Sequence, residues 1–159
     1  MANETLQPGA KAPTFKLPSS TGQAIDLADY RGKRVVLYFY PRADTPGCTK
    51  EACGFRDAIA GYQQLGVPVF GVSPDPVADV TKFAEKFDLN FPLLADADHA
   101  VTEQYGAWQE RSMYGKKYWG AARTTFIIGK DGTIEHVFEK VKPEGHDKEV
   151  LGYLQRADG

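Results

Sequence analysis

The longest unbroken run of strongly apolar residues, Val35-Val36-Leu37-Tyr38-Phe39-Tyr40, shows no alternation with polar positions, the pattern of a β-strand buried on both faces. From Thr49 to about Leu65 the period changes. Ala52, Phe55, Ile59 and Tyr62 recur every three or four positions, with Lys50 and Asp57 opposite and Glu51 and Arg56 at the margins, which predicts an amphipathic helix stopped by Gly66. Residues 67–72 read as a second strand, so 35–72 compose a strand, helix, strand unit with parallel strands and a right-handed crossover. The alternation continues with Asp75 as N-cap of a helix whose stripe is Val80, Phe83, Ala84 and Phe87. A short strand at 91–94 and a short helix at 98–105, ended by Gly106, follow.

The ends of the chain carry weaker patterns. Residues 1–13 hold two prolines and little periodicity, which reads as a surface arm leading into a hairpin of 15–17 and 24–27 around Ser20-Thr21-Gly22. Residues 124–128 and 133–138 flank the turn Gly129-Lys130-Asp131-Gly132, a second hairpin. A last helix covers about 147–155, with Val150, Leu151 and Leu154 inward. Residues 107–122 form the one long irregular segment. It mixes Arg111, Lys116 and Lys117 with Tyr114, Tyr118 and Trp119, read as a packed wall near a site in preference to a base-stacking surface. The sum is an α/β fold: a mixed central sheet, parallel at its centre and antiparallel at one edge, flanked by helices, in a single domain spanning 1–159. Sites on such sheets lie beyond the carboxyl ends of the parallel strands. The segment so placed is 41–48.

Composition narrows the function without naming it. The 159 residues, 42% hydrophobic and 25% charged, suit one globular core and argue against disorder. A net charge of −2, with basic residues scattered, lacks the electrostatic signature of nucleic-acid binding. The longest charge-free stretch, 58–74, is broken by Gly61, Gln63, Gln64, Gly66 and Pro68, so no membrane span is expected. The first residues carry an acid and no apolar leader, which makes a cytoplasmic address the expectation. His99, His136 and His146 share no ligand spacing with the cysteines, and neither metal nor cofactor is expected.

The two cysteines carry the chemistry. Cys48 falls at or next to the start of the first predicted helix, where unpaired N–H groups and the macrodipole favour a thiolate. Thr45 offers a hydroxyl nearby, and Gly47 lets a substrate approach the main chain. Cys53 lies five positions on. Five residues of intact helix separate Cα atoms by about 8.7 Å, whereas a disulfide needs less than about 7 Å. Either the two are independent, or the first turns unwind to join them; the expectation is unwinding coupled to oxidation.

Pro41, Thr45 and Cys48 together compose the Pro-x-x-x-Thr-x-x-Cys signature. With Phe39-Tyr40-Pro41, Thr45-Pro46-Gly47-Cys48-Thr49 and Ala52-Cys53, the chain resembles the peroxiredoxins, in particular the bacterioferritin comigratory protein or peroxiredoxin Q group. The similarity continues through Gly71-Val72-Ser73-Pro74-Asp75, 91–96 and Arg123-Thr124-Thr125-Phe126-Ile127-Ile128. The resemblance implies a thioredoxin-like fold with an added N-terminal hairpin. It also implies reduction of hydrogen peroxide and organic hydroperoxides. On that resemblance Cys48 is the peroxidatic and Cys53 the resolving cysteine, paired transiently in an intramolecular disulfide that thioredoxin or a similar dithiol reduces. Pro41 shields the thiolate, Thr45 and Arg123 hold thiolate and peroxide, and Glu51 bonds the arginine. Gly129 departs from the Asp common in relatives.

Two other functions compete. A thioredoxin-type disulfide oxidoreductase uses cysteines separated by two residues, and the four-residue gap speaks against it. A redox-responsive binding module would share the disulfide without fast peroxide turnover. A resolving cysteine on the same helix needs no second subunit, so a monomer is expected.

Overall fold

The computed structural model describes residues 4–158. A five-stranded sheet forms its centre, built from β3 (Val35–Phe39), β4 (Val69–Ser73), β5 (Leu93–Ala95), β8 (Thr124–Ile128) and β9 (Ile134–Phe138) in the order β5-β4-β3-β8-β9. β3 pairs parallel with β4, and β4 with β5, while β8 runs antiparallel to both β3 and β9. This is the expected mixed sheet.

The uninterrupted apolar run of β3 has a direct cause. Val36, Tyr38 and, beyond the strand, Tyr40 enter a core shared with α1 (Pro46–Gln64), α2 (Val77–Lys86) and α4 (His146–Asp158). Val35, Leu37 and Phe39 enter a second core on the opposite face, with Phe126, Val101 of α3 (Ala100–Gln104) and Tyr105. Both faces are dry, so neither parity can be polar. The N-terminal hairpin, β1 (Lys16–Leu17) with β2 (Ile25–Asp26), pairs Lys16 with Asp26 and contributes Phe15 and Leu17 to the second core.

Three local expectations change. The first helix starts earlier than its apolar period, at Pro46, because proline in the first helical position forfeits no hydrogen bond. Asp75 is not an N-cap. Pro76 precedes α2 with extended backbone, and the Asp75 carboxylate instead accepts from the Ala43 amide at 2.8 Å. The N-terminal segment lies mostly at the surface, as expected, and is tied down along it: Gly9 N donates to the Ile134 carbonyl and Ala12 N to that of Gly132, each at 2.9 Å. Residues 1–3 lie outside the described residues.

Finally, 107–122 is regular. β6 (Trp108–Met113) and β7 (Lys116–Ala121) pair antiparallel through a two-residue turn whose residues, Tyr114 and Gly115, both have positive φ, 52° and 78°. That is the geometry of a tight hairpin turn. Nor is it a packed wall at its aromatics, since Tyr114, Tyr118 and Trp119 are exposed.

Candidate functional site

The link from β3 to α1 leaves the carboxyl end of the central strand and is held in place before the helix begins. Ala43 is fixed by Asp75, and Asp44, at φ 59°, pairs with Lys86 of α2 at 3.0 Å. Thr45 is the N-cap in extended conformation, yet its hydroxyl makes no cap; it donates to the Arg42 carbonyl at 3.0 Å. Pro41 is half-buried.

Pro46 and Gly47 open the helix, so Cys48 is its third residue and lies within the first turn, where amide N–H groups lack helical acceptors. Its thiol is buried. Arg123, which immediately precedes β8, brings a guanidinium over the helix start: Nη2 donates to Cys48 Sγ at 3.4 Å and Nη1 to Glu51 Oε1 at 2.8 Å. Gly47 makes that approach possible. A Cβ there would stand 3.2 Å from Arg123 Nη2 and 3.4 Å from Pro143 Cγ. The arginine is held from behind as well, because its carbonyl accepts from the Val141 amide at 3.2 Å.

Glu51, one turn beyond Cys48, is not at the helix margin where its polarity suggested. Its side chain is fully buried. One carboxylate oxygen takes the Arg123 bond, and the other, Oε2, has no partner among the described residues. Burial therefore pushes its pKa from 4.5 up to about 7, against the opposing pull of Arg123. For Arg123 itself, burial works against the charge, but the neighbouring Cys48 and Glu51 outweigh it and raise the pKa. Deeper under the helix, the Tyr38 hydroxyl is buried with no hydrogen-bond partner among the described residues, and burial is the main reason the pKa values of Tyr38 and Tyr40 stand far above the ordinary 10.0.

Cys53 is half-buried on the same helix, and both thiols are free. The geometry thus unites Cys48, Arg123, Glu51 and Gly47, with Thr45 and Pro41 on the entering loop and Cys53 more than one turn away. Sequence reasoning missed one residue that shapes the site. Asp75 braces the loop, and its helix-capping signal concealed this. His146 is buried between sheet and helix, with Nε2 at 2.7 Å from Thr125 Oγ1 and Nδ1 at 2.9 Å from Glu149 Oε1. Burial lowers its pKa below 6.5, and the ring bridges β8 and α4. Among the described residues, no three His, Cys, Asp or Glu side chains converge as metal ligands would, and no helix is long and apolar enough to cross a membrane.

The arrangement is a buried thiol within reach of a guanidinium, a donor able to stabilise negative charge on an adjacent oxygen. Residues 8–137 match the AhpC/TSA family. The chain is 49% identical over 150 residues to the putative peroxiredoxin bcp of Coxiella burnetii, covering 94% of this chain and 99% of that one. It is 48% identical to peroxiredoxin Bcp of Escherichia coli strain K12, covering 94% and 96%. Among solved structures, the bacterioferritin comigratory protein of Xanthomonas campestris superposes with a TM-score of 0.88 at 32% identity over 99% of each chain. BcpB of Mycobacterium tuberculosis gives 0.84 at 37% identity, over 95% and 97%.

Proposed function

From the premise that this chain belongs to the AhpC/TSA family, as a peroxiredoxin of the Bcp and peroxiredoxin Q kind, we propose that Cys48 is its peroxide-reacting residue and Cys53 its resolving partner. The enzyme is a thiol-dependent peroxidase, an oxidoreductase acting on peroxides at the expense of a thiol reductant. The observation that carries the assignment of Cys48 is its place in the first turn of α1, with Arg123 Nη2 at 3.4 Å.

The thiolate of Cys48 attacks one oxygen of the hydroperoxide. The O–O bond breaks, the attacked oxygen stays on sulfur as sulfenic acid, and the other leaves as hydroxide or alkoxide and takes up a proton. Sulfur has lost two electrons and the peroxide has gained them. Arg123 and the amides of the first turn are the donors for the charge that grows on the departing oxygen. Thr45, its own proton committed to Arg42, keeps lone pairs to accept the hydroperoxide O–H. Pro41 screens the sulfur from bulk water. The Cys53 thiolate then attacks the Cys48 sulfur, an S–S bond forms and water departs after protonation; thioredoxin or a similar dithiol reduces the pair by exchange. Hydrogen peroxide and organic hydroperoxides are the proposed substrates, and no second subunit takes part.

Pairing needs the early turns of α1 to unwind, since an intact helix holds the Cα atoms at about 8.7 Å. The test is a peroxide pulse followed by acid quench and mass analysis. Cys48→Ser should abolish oxidation, and Cys53→Ser should form sulfenic acid at the parent rate yet fail to recycle with thioredoxin. Peroxide consumption by Cys48→Ser equal to the parent would refute the assignment.

A further inference from the structure

The two halves of α1 are held very differently. Residues 46–53 bury Cys48 and Ala52 in the core beneath the helix, and their polar ties to the body are those of Arg123, through Cys48 at 3.4 Å and Glu51 at 2.8 Å, and an exposed contact of Lys50 with Glu144 at 3.9 Å. The N-cap adds no side-chain bond.

From Gly54 onward the helix is gripped on two flanks. On the first, α4 comes so close that a Cβ on Gly54 would lie 2.6 Å from Asp147 Oδ1. Phe55 meets the His146 ring edge-on at 5.8 Å, and Tyr62 Oη donates to the Asp147 carbonyl at 2.6 Å. On the second flank, Arg56 Nη1 donates to the Phe87 carbonyl at the end of α2 at 2.7 Å, and Asn90 Nδ2 donates to the Arg56 carbonyl at 3.2 Å. The same guanidinium holds Asp57 Oδ1 through Nε at 2.9 Å, so the planar fork is fixed at both ends. The chain ahead of the helix is pinned too, by Asp75 and Lys86. Residues 45–53 are therefore a segment between two fixed points. Cys48 lies inside it, and Cys53 closes its far end, three residues and less than one turn before Arg56.

Resting on the roles given to Cys48 and Cys53 above, we propose that Arg56 is a positioning residue for the resolving step: by clipping α1 to the end of α2 just past Cys53, it holds Cys53 in place while the segment bearing Cys48 unwinds and travels to it. The reaction itself is unchanged, with Cys53 sulfur displacing the oxygen of the Cys48 sulfenic acid and that oxygen leaving as water. Arg56 hydrogen-bonds neither reacting atom, and its charge acts on Cys53 only through space. It fixes where unwinding stops, and so keeps the second thiol at a constant place relative to the incoming sulfur.

The test uses the full chain, reduced and then exposed to one equivalent of hydrogen peroxide, with rapid quenching and mass analysis of sulfenic acid and disulfide. In Arg56→Ala, sulfenic acid should form within twofold of the parent rate, whereas disulfide formation should slow about fivefold, the equilibrium effect of one hydrogen bond of ordinary net strength. Sulfinic acid should accumulate at higher peroxide, because the sulfenic acid waits longer. Arg56→Lys keeps a charged donor for the Phe87 carbonyl and should recover most of the rate. Hydrogen exchange on the oxidised protein supplies an independent reading: protection lost over 46–53 and kept from 55 onward in the parent, lost further along α1 in Arg56→Ala. Disulfide formation in Arg56→Ala at the parent rate or faster, equal slowing of both steps, or no recovery in Arg56→Lys would each overturn the proposal. A parent that consumes peroxide without forming the Cys48–Cys53 bond would overturn it together with the assignment of Cys53.

Discussion

Replacing Glu51 by Gln isolates the electrostatic cost of the carboxylate buried beneath the start of α1. Gln matches Glu in shape and keeps an oxygen for the Arg123 bond at 2.8 Å, so the substitution removes the charge and little else. The folded-state pKa of Glu51 is raised from 4.5 to about 7 because burial, with Oε2 unpartnered, outweighs Arg123. A carboxyl raised in this way contributes stability that is fully present below its unfolded value and is lost as pH rises through its folded value. The gap between 4.5 and about 7, at about 1.4 kcal/mol for each pH unit, makes the parent lose about 3 kcal/mol relative to Glu51→Gln between pH 4.5 and about pH 8. His146 acts in the opposite sense, since its lowered pKa withdraws stability as pH falls below 6.5, but it is common to both proteins and cancels in the difference. Urea unfolding of the reduced proteins across that pH range measures the quantity directly. A difference that stays flat, or that favours the parent increasingly as pH rises, would show that Arg123 compensates the buried charge and would refute the reasoning.

Three further outcomes rest on other contacts. Gly47→Ala places a methyl 3.2 Å from Arg123 Nη2 and 3.4 Å from Pro143 Cγ, so the guanidinium must shift; stopped-flow oxidation by peroxide should slow about tenfold, the range of a charged hydrogen bond, with thermal stability little altered. Tyr38→Phe deletes a buried hydroxyl that has no partner among the described residues, and thermal or urea denaturation should show stability unchanged or raised by up to about 1 kcal/mol, whereas a clear loss would mean that the hydroxyl is hydrogen-bonded. Gly71→Ala would put a methyl 2.7 Å from Tyr38 Cζ and 3.0 Å from Leu93 Cδ2 at the centre of the sheet, an overpacking expected to cost about 1–3 kcal/mol by the same measurement.

Much of the architecture was legible because its signals are local. The non-alternating run in β3 reports burial on two faces, and the period of Ala52, Phe55 and Tyr62 reports one helical face; both follow from backbone geometry and need no distant partner. The β6–β7 hairpin escaped because its exposed ribbon has little buried face to impose a period of two, and its turn places Tyr114, not only a glycine, at positive φ. Asp75 misled for a related reason. An acid before a helix reads as a cap whether its carboxylate turns to the next residues or to Ala43, which is distant in sequence.

The candidate site divides along the same line. From the sequence alone came the segment 41–48, the place of Cys48 at a helix start and the mismatch between the Cys48 to Cys53 spacing and disulfide length, all consequences of short-range geometry. Arg123 entered through resemblance, since nothing in its own neighbourhood distinguishes it from a surface cation. Only the folded chain decided that Arg123 reaches Cys48, that Glu51 is buried with half its carboxylate unsatisfied among the described residues, and that the side-chain polar ties of α1 fall mainly to one arginine before Gly54 and to α2 and α4 after it. Those facts depend on elements 30 to 100 residues apart meeting at a few ångströms, and such meetings are set by the summed burial of two cores, which no short stretch of sequence contains.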